Sequence, residues 1–269
     1  MDDNNNIRDE SFVADDDSLA RRLHKQVRVL CWVMTSEGNL EKKARHVQAT
    51  WARHCNVALF VSDSRNDTFP TIDVNVTKGR WHLTMKTMKA FDYIYKHHMD
   101  DADWFLKADD DTYVIVENLR YFLSSQNSSE PGYFGKQYAW IVKQGYNSGG
   151  ASYVLSHEAL RRFGNRKEKQ CAEDFWAEDV QFGRCMQALG VRPGDTRDAK
   201  QRSRFQYLAP STYMRDKFLK KHKSDKYPPK EVRQTAFVFS LSLNVKGNNR
   251  WKLTNVDYRM GRNCSIFRL

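Results

Sequence analysis

No stretch of the 269 residues approaches the roughly 18 consecutive apolar side chains that a helix needs to cross a bilayer. The first twenty residues are acidic and polar, and no signal-peptide core can be read in them. Acidic residues run short in one place: residues 200–269 hold 17 Lys and Arg against 4 Asp and Glu, while the other 199 hold 27 against 29. The formal charge of +11 is therefore a property of the tail. Basic tails bind nucleic acid or membrane surfaces, or are simply solvated. No recognisable nucleic-acid module accompanies this one, so nucleic acid is not an expected partner. Histidine is also absent after His222. With 40% hydrophobic and 13% aromatic residues, the chain is not compositionally disordered and can fill the core of one large α/β domain.

Met1 to about Lys25 has acidic clusters and no periodicity, which reads as a mobile stem. Val27–Met34 and Val57–Ser62 are nearly continuous apolar runs, the form of buried parallel strands. Between them Asn39 is a plausible cap for a helix through about Arg53. This is a βαβ opening. Ile72–Val76 reads as a third strand, and Trp81 to about His98 as an amphipathic helix whose Met85, Met88, Phe91, Ile94 and Tyr95 stripe faces the core. Further helices are expected near Glu117–Ser124, from a Ser156 cap to Phe163, and from Glu178 to about Leu189. Pro131–Lys143 reads as short strands and Gln234–Val245 as one more. The glycine-rich Gln144–Ala151 stretch is either a tight hairpin or a place where backbone approaches a ligand.

The chemistry is concentrated in Asp103-Trp-Phe-Leu-Lys-Ala-Asp-Asp-Asp-Thr-Tyr113. A strand here delivers three adjacent carboxylates at its C-terminal end, where ligands bind in open α/β sheets. Alternation lets Asp109 and Asp111 share one ion while Asp110 faces elsewhere. All-oxygen ligation suits Mn²⁺ or Mg²⁺. A solvated acidic turn is the other reading. Glu178 and Asp179, at a helix start, are either functional acids or simple complements to the helix dipole. Five cysteines and four sequons, at Asn66, Asn75, Asn127 and Asn263, favour a luminal domain whose membrane anchor lies outside this sequence.

Trp104–Val114, Lys143-Gln-Gly-Tyr-Asn-Ser-Gly-Gly-Ala151 and Glu178-Asp179…Gly183-Arg-Cys185 together resemble the core 1 β1,3-galactosyltransferases. These are inverting β1,3-glycosyltransferases, a group that includes the Fringe-type enzymes. The resemblance covers about Arg28 to Asp198. It implies a GT-A fold, a Rossmann-like α/β domain with a mixed, mostly parallel sheet. The domain would span residues 26–229, between a stem at 1–25 and a divergent basic tail at 230–269. It implies transfer of galactose from UDP-galactose to O3 of GalNAc on glycoprotein Ser or Thr (the T antigen), in a type II Golgi membrane protein. Homodimerisation and a dedicated chaperone belong to the same expectation.

Carried over, Asp109 and Asp111 are the metal pair, with Mn²⁺ expected and Mg²⁺ as the alternative. Asp179 is the general base. Met34, Gly79, Arg80, Lys86 and Asp110 belong to the nucleotide-sugar site, and Tyr146, Gly149, Gly150 and Glu178 to the sugar and acceptor site. Cys31 pairs with Cys55 and Cys171 with Cys185. The resemblance stops after Tyr227-Pro228-Pro229. The family continues there with a Cys pair and a strand bearing the His that completes its metal shell. This chain has only Cys264, and Lys-rich sequence replaces the family's acceptor-binding Trp residues. His222 is either a substitute ligand or a solvated side chain. Three functions follow: the galactosyltransferase, a weak or inactive relative acting as an interaction protein or chaperone, and a related Fringe-like hexosyltransferase.

Overall fold

The structure is a computed structural model. It describes residues 17–208 apart from 67, 168, 170, 172, 173, 175 and 176, together with 225–227 and the backbone of 240–242. His222, the Asn263 sequon and nearly all of the 230–269 tail lie outside the described residues.

Seven strands form one sheet: β1 (Val29–Met34), β2 (Val57–Ser62), β3 (Ile72–Asp73), β4 (Trp104–Asp109), β6 (Gly132–Gly135), β9 (Tyr153–Ser156) and β10 (Arg192–Gly194). Their order is β10-β6-β9-β4-β1-β2-β3. β1 runs parallel to both β2 and β4, whereas β9 runs antiparallel to β4 and β6. Outside the sheet, β7 (Gln137–Tyr138) and β8 (Tyr146–Asn147) form a small hairpin. The expected α/β architecture with a mixed, mostly parallel sheet is present.

Both sheet faces are covered, which is why β1 reads as an unbroken apolar run. Val29, Cys31 and Val33 pack with Trp104, Leu106, Ala108 and residues of α4 (Val116–Leu123). Leu30, Trp32 and Met34 pack with Phe105, Tyr153 and residues of α3 (Leu83–His98), α5 (His157–Gly164) and α6 (Glu178–Ala188). Phe91 of α3 is the centre of this second layer, edge-on to Trp32 at 5.2 Å and stacked on Phe182 at 5.0 Å. Ser156 caps α5 by accepting from Ala159 N at 3.1 Å, as its sequence position predicts.

Four local expectations are corrected. Residues 18–26 are not an irregular stem but a helix, α1 (Ser18–Gln26), that packs against α4. Its Leu19 and Leu23, one turn apart, form an apolar stripe that the surrounding charges obscure, and Leu23 is buried. The predicted helix from Asn39 to Arg53 is broken into a 3₁₀ turn (Glu37–Asn39), a wide π turn (Leu40–Ala44), α2 (Arg45–Ala49) and a second 3₁₀ turn (Trp51–His54). Leu40, Ala44, Val47 and Trp51 still face the core, but Asn39 spends its side chain on Asp110 rather than on a cap. The third strand ends early because Asn75 turns to φ +51°, although Val74 and Val76 are buried. Residues 139–143 form no strand, and Trp140 and Ile141 stand exposed. Within the predicted strand 234–245, the described residues 240–242 form β11 (Ser240–Ser242), antiparallel to β5 (Thr112–Val114).

Candidate active site

The carboxyl ends of β1 and β4 lie side by side, Met34 opposite Asp109. Beyond them the chain makes its three-Asp turn. Asp110 is buried: it accepts from Thr35 Oγ1 at 2.8 Å and from Asn39 Nδ2 at 2.9 Å, and its own N–H donates to Met34 O at 3.1 Å. It clamps the motif to the segment after β1, but it also shares Lys43 with Asp111, whereas the alternation rule sets Asp110 apart from both neighbours. Asp109 and Asp111 stay about one-third open, with side chains 30% and 32% exposed.

Two lysines answer these carboxylates. Lys43, on the π turn, lies 3.1 Å from Asp111 Oδ2 and 3.3 Å from Asp110 Oδ1. Lys107, only 2% exposed, lies 2.6 Å from Asp109 Oδ1 and 3.7 Å from Glu178 Oε2, and donates to Gly149 O at 3.3 Å. Burial works against a charged lysine there, but the Asp109 and Glu178 carboxylates outweigh it and hold the ammonium well above its ordinary pKa. Glu178 is equally buried and accepts from Tyr153 Oη at 2.5 Å. Burial pushes its pKa, and that of Asp109, upward.

Asp179 begins α6 beside Glu178. Its Oδ2 accepts from Gly149 N at 3.2 Å and its Oδ1 from Val180 N at 2.9 Å. Burial raises its pKa, while those two N–H groups and Lys107 pull it back. Strand alternation places Lys107 on the Phe105 side of β4, directly opposite Tyr153 of β9 and facing α6. The sheet register therefore brings Asp109 and Glu178, about 70 residues apart in sequence, onto one ammonium, with Asp179 next to Glu178 at the start of α6.

The other candidate residues divide. Met34 is buried at the strand end, and Lys86 is buried beside it, donating to Thr35 O at 2.5 Å. Burial lowers the Lys86 pKa, with Asp63 and Asp110 opposing. Gly79, at φ +126°, and Arg80 lie exposed on the turn into α3. His82 on that turn pairs with Asp174, which ties it to the loop that follows Cys171. Gly149 has no room for a ligand on its Cβ side: a methyl group there would meet Glu178 Oε2 at 2.6 Å. Gly150 faces open space. Tyr146 is buried against Gly183 of α6, and its hydroxyl is hydrogen-bonded to the Trp140 side chain. So Gly149 and Tyr146 support the acidic pair of α6 from behind. Lys107, Lys43, Thr35, Asn39 and Tyr153 escape the sequence reading. Lys107 carries a usable signal, since a charge inside an apolar strand requires a buried partner.

Both expected disulfides are present, Cys31–Cys55 and Cys171–Cys185, with Cα atoms 6.0 Å and 4.6 Å apart. The second fastens the loop before α6 to the helix itself. Among the described residues, no helix is long and apolar enough to cross a membrane.

Several known proteins are similar to this chain. A Xenopus laevis glycoprotein-N-acetylgalactosamine 3-beta-galactosyltransferase 1 is 47% identical over 205 residues, which cover 76% of this chain and 57% of the relative. A Mus musculus beta-1,3-glucosyltransferase is 29% identical over 148 residues, 54% of this chain and 30% of the relative. The chain thus spans little more than half the length of the first relative and a smaller share of the second. Among solved structures, the catalytic domain of a Drosophila beta1,4-galactosyltransferase 7 complexed with xylobiose overlaps 62% of this chain and 63% of its own, at 14% identity and a TM-score of 0.38. The Fringe-like family matches residues 25–257, from α1 through β11 and well past Pro229, and the chain belongs to that family.

Proposed function

We propose that this chain is the catalytic region of an inverting, metal-dependent β1,3-galactosyltransferase with a GT-A-type nucleotide-sugar domain. It moves galactose from UDP-galactose to O3 of GalNAc on Ser or Thr of glycoproteins, as in T-antigen synthesis. The observation that supports the reading is the ion-pair path Asp109–Lys107–Glu178, which links the three-Asp turn at the carboxyl end of β4 to the acidic start of α6. The printed name of the Xenopus relative supports the sugar, the acceptor and the linkage position. The two disulfides support an oxidising compartment such as the Golgi lumen.

Asp109 and Asp111 fit a hard divalent cation. They offer only oxygen donors, both are partly open, and each keeps one oxygen that no lysine among the described residues engages. A Mn²⁺ or Mg²⁺ ion there supplies charge neutralisation for the departing diphosphate. The protein's own steps are then few. Asp179 accepts the proton of the acceptor hydroxyl as that oxygen bonds to the anomeric carbon and the bond to UDP breaks. A carboxylate with a pKa raised by burial is a better base than a free one. Gly149 N–H, Val180 N–H and the α6 N-terminus fix its orientation. Arg80 and Lys86 contribute positive charge at the nucleotide end.

A second reading, a catalytically silent relative that works by binding, is favoured by the tail sequence: Lys230-Glu-Val-Arg-Gln-Thr-Ala-Phe-Val-Phe-Ser240 stands where the family it resembles carries its Cys pair and His-bearing strand. The test is Mn²⁺-dependent galactose transfer from UDP-galactose to a GalNAc-O-peptide by the purified chain. Transfer to O3, abolished by EDTA, is the expected result. UDP binding without transfer would overturn the catalytic reading in favour of the second.

A further inference from the structure

We propose that Lys43 is the resident counter-ion of the acidic motif, displaced from Asp111 when a divalent cation binds and thereby freed for the donor's diphosphate. The inference rests on the reading of Asp109 and Asp111 as the cation pair. Lys43 Nζ lies 3.1 Å from Asp111 Oδ2 and 3.3 Å from Asp110 Oδ1. The two partners are not equivalent. Asp110 is buried and already held by Thr35 and Asn39, so its place is fixed with or without Lys43. Asp111 has no described side-chain partner except Lys43, and a third of its side chain is open. Removing the ammonium from Asp111 therefore frees the more accessible carboxylate and leaves the clamp intact.

The backbone beneath Lys43 is built for adjustment. The residue lies in the π turn Leu40–Ala44, between a 3₁₀ turn and α2, where the helical repeat is locally wide. Single π turns of this kind concentrate at functional sites. Leu40 and Ala44 on either side are buried and anchor the turn, while Lys43 keeps 30% of its side chain in solvent. The charge count points the same way. Asp109, Asp110, Asp111, Glu178 and Asp179 against Lys43 and Lys107 leave −3, too negative for a diphosphate, and a divalent cation reduces that to −1. Lys107 is 2% exposed and committed to Asp109 and Glu178, which leaves Lys43 as the mobile member of the pair.

The experiment titrates Mn²⁺ into the purified chain, following loss of the free-ion EPR signal, and then titrates UDP calorimetrically with Mn²⁺ present. Lys43→Met should bind Mn²⁺ at least about threefold more tightly without UDP, because no ammonium competes, and bind UDP about tenfold more weakly. Lys43→Arg should restore UDP binding, and thermal melts would confirm that both variants fold. If the wild-type chain binds Mn²⁺ and Lys43→Met is indistinguishable from it in both titrations, the Lys43 inference falls and the cation pair stands. If the wild-type chain binds no Mn²⁺, the cation reading falls and takes the inference with it.

Discussion

Replacing Lys107 by methionine tests the centre of this site through stability alone. The substitution keeps the length and apolar stem of the side chain and removes only the ammonium. In the native protein that ammonium sits 2.6 Å from Asp109 and 3.7 Å from Glu178, with 2% of the side chain exposed. Asp109 is partly open and can rehydrate. Glu178 is buried and cannot, so its charge would be left with Tyr153 Oη as its nearest donor. Charges about 4 Å apart attract by about 4 kcal/mol at an effective dielectric near 20. Breaking a buried pair on one side costs about 3–5 kcal/mol. For a domain of this size each kcal/mol moves the midpoint by about 2–4 °C, so Lys107→Met should melt about 6–20 °C lower at pH 7. The double variant Lys107→Met/Glu178→Gln removes the stranded charge and should recover at least half of that loss. Thermal unfolding followed by circular dichroism in EDTA gives both numbers. A single-variant drop below about 3 °C, or no recovery in the double variant, would refute the claim that Lys107 neutralises a buried Glu178.

Three further outcomes follow from named contacts. Asp179→Asn should leave UDP binding intact while kcat falls by about 10²–10⁴-fold, read from steady-state kinetics with a calorimetric UDP titration; equal loss of both would mark Asp179 as a helix-start acid only. Gly183→Ala should destabilise the domain by about 1–2 kcal/mol in urea unfolding, because its Cβ would meet Tyr146 Cβ at 2.3 Å and overpacking outweighs the gain in helix propensity. Glu158 is held to a pKa of about 2, chiefly by its hydrogen bonds from Arg161 and then Arg162, against burial. A carboxylate depressed in the folded state contributes its stability above the unfolded value, about 4.3. The stability difference between wild type and Glu158→Gln, on the order of 1 kcal/mol at pH 7, should therefore shrink to nothing as pH falls from about 4.5 to about 2. A difference independent of pH would refute it.

What could be read in advance follows from the range over which each signal acts. β1, β2, β4, α3 and α6 were legible because apolar runs and 3.6-residue periodicity report burial directly. The separation of Asp110 from Asp109 was also legible from alternation, whereas the convergence of Asp110 and Asp111 on Lys43 was not legible. The broken helix at 37–54 was not. Asn39 has two competing uses, and the choice of Asp110 over a cap depends on a residue 71 positions away. Gly149 and Gly150 look alike in sequence, yet only Gly149 is pressed against Glu178. That difference arises from the packing of α6 on β9, which no local pattern encodes. The tail divides in the same way: a strand within Gln234–Val245 was legible, but its antiparallel pairing of 240–242 with β5 was not.

The sheet topology explains why the acidic groups converge where they do. β4 is the strand at which the sheet changes sense, parallel to β1 on one side and antiparallel to β9 on the other. On the β1 side the two carboxyl ends lie together, so the turn after β4 can be clamped to the segment after β1 through Asp110. On the β9 side the neighbouring strand begins where β4 ends, so the glycine-rich turn leading into β9 arrives at that same edge. Gly149 brings its N–H to Asp179 and its carbonyl to Lys107. An all-parallel sheet would instead send a crossover helix there and leave Asp179 without its Gly149 backbone donor. The antiparallel strand thus brings the acidic start of α6 to the three-Asp turn, with Lys107 set between Asp109 and Glu178.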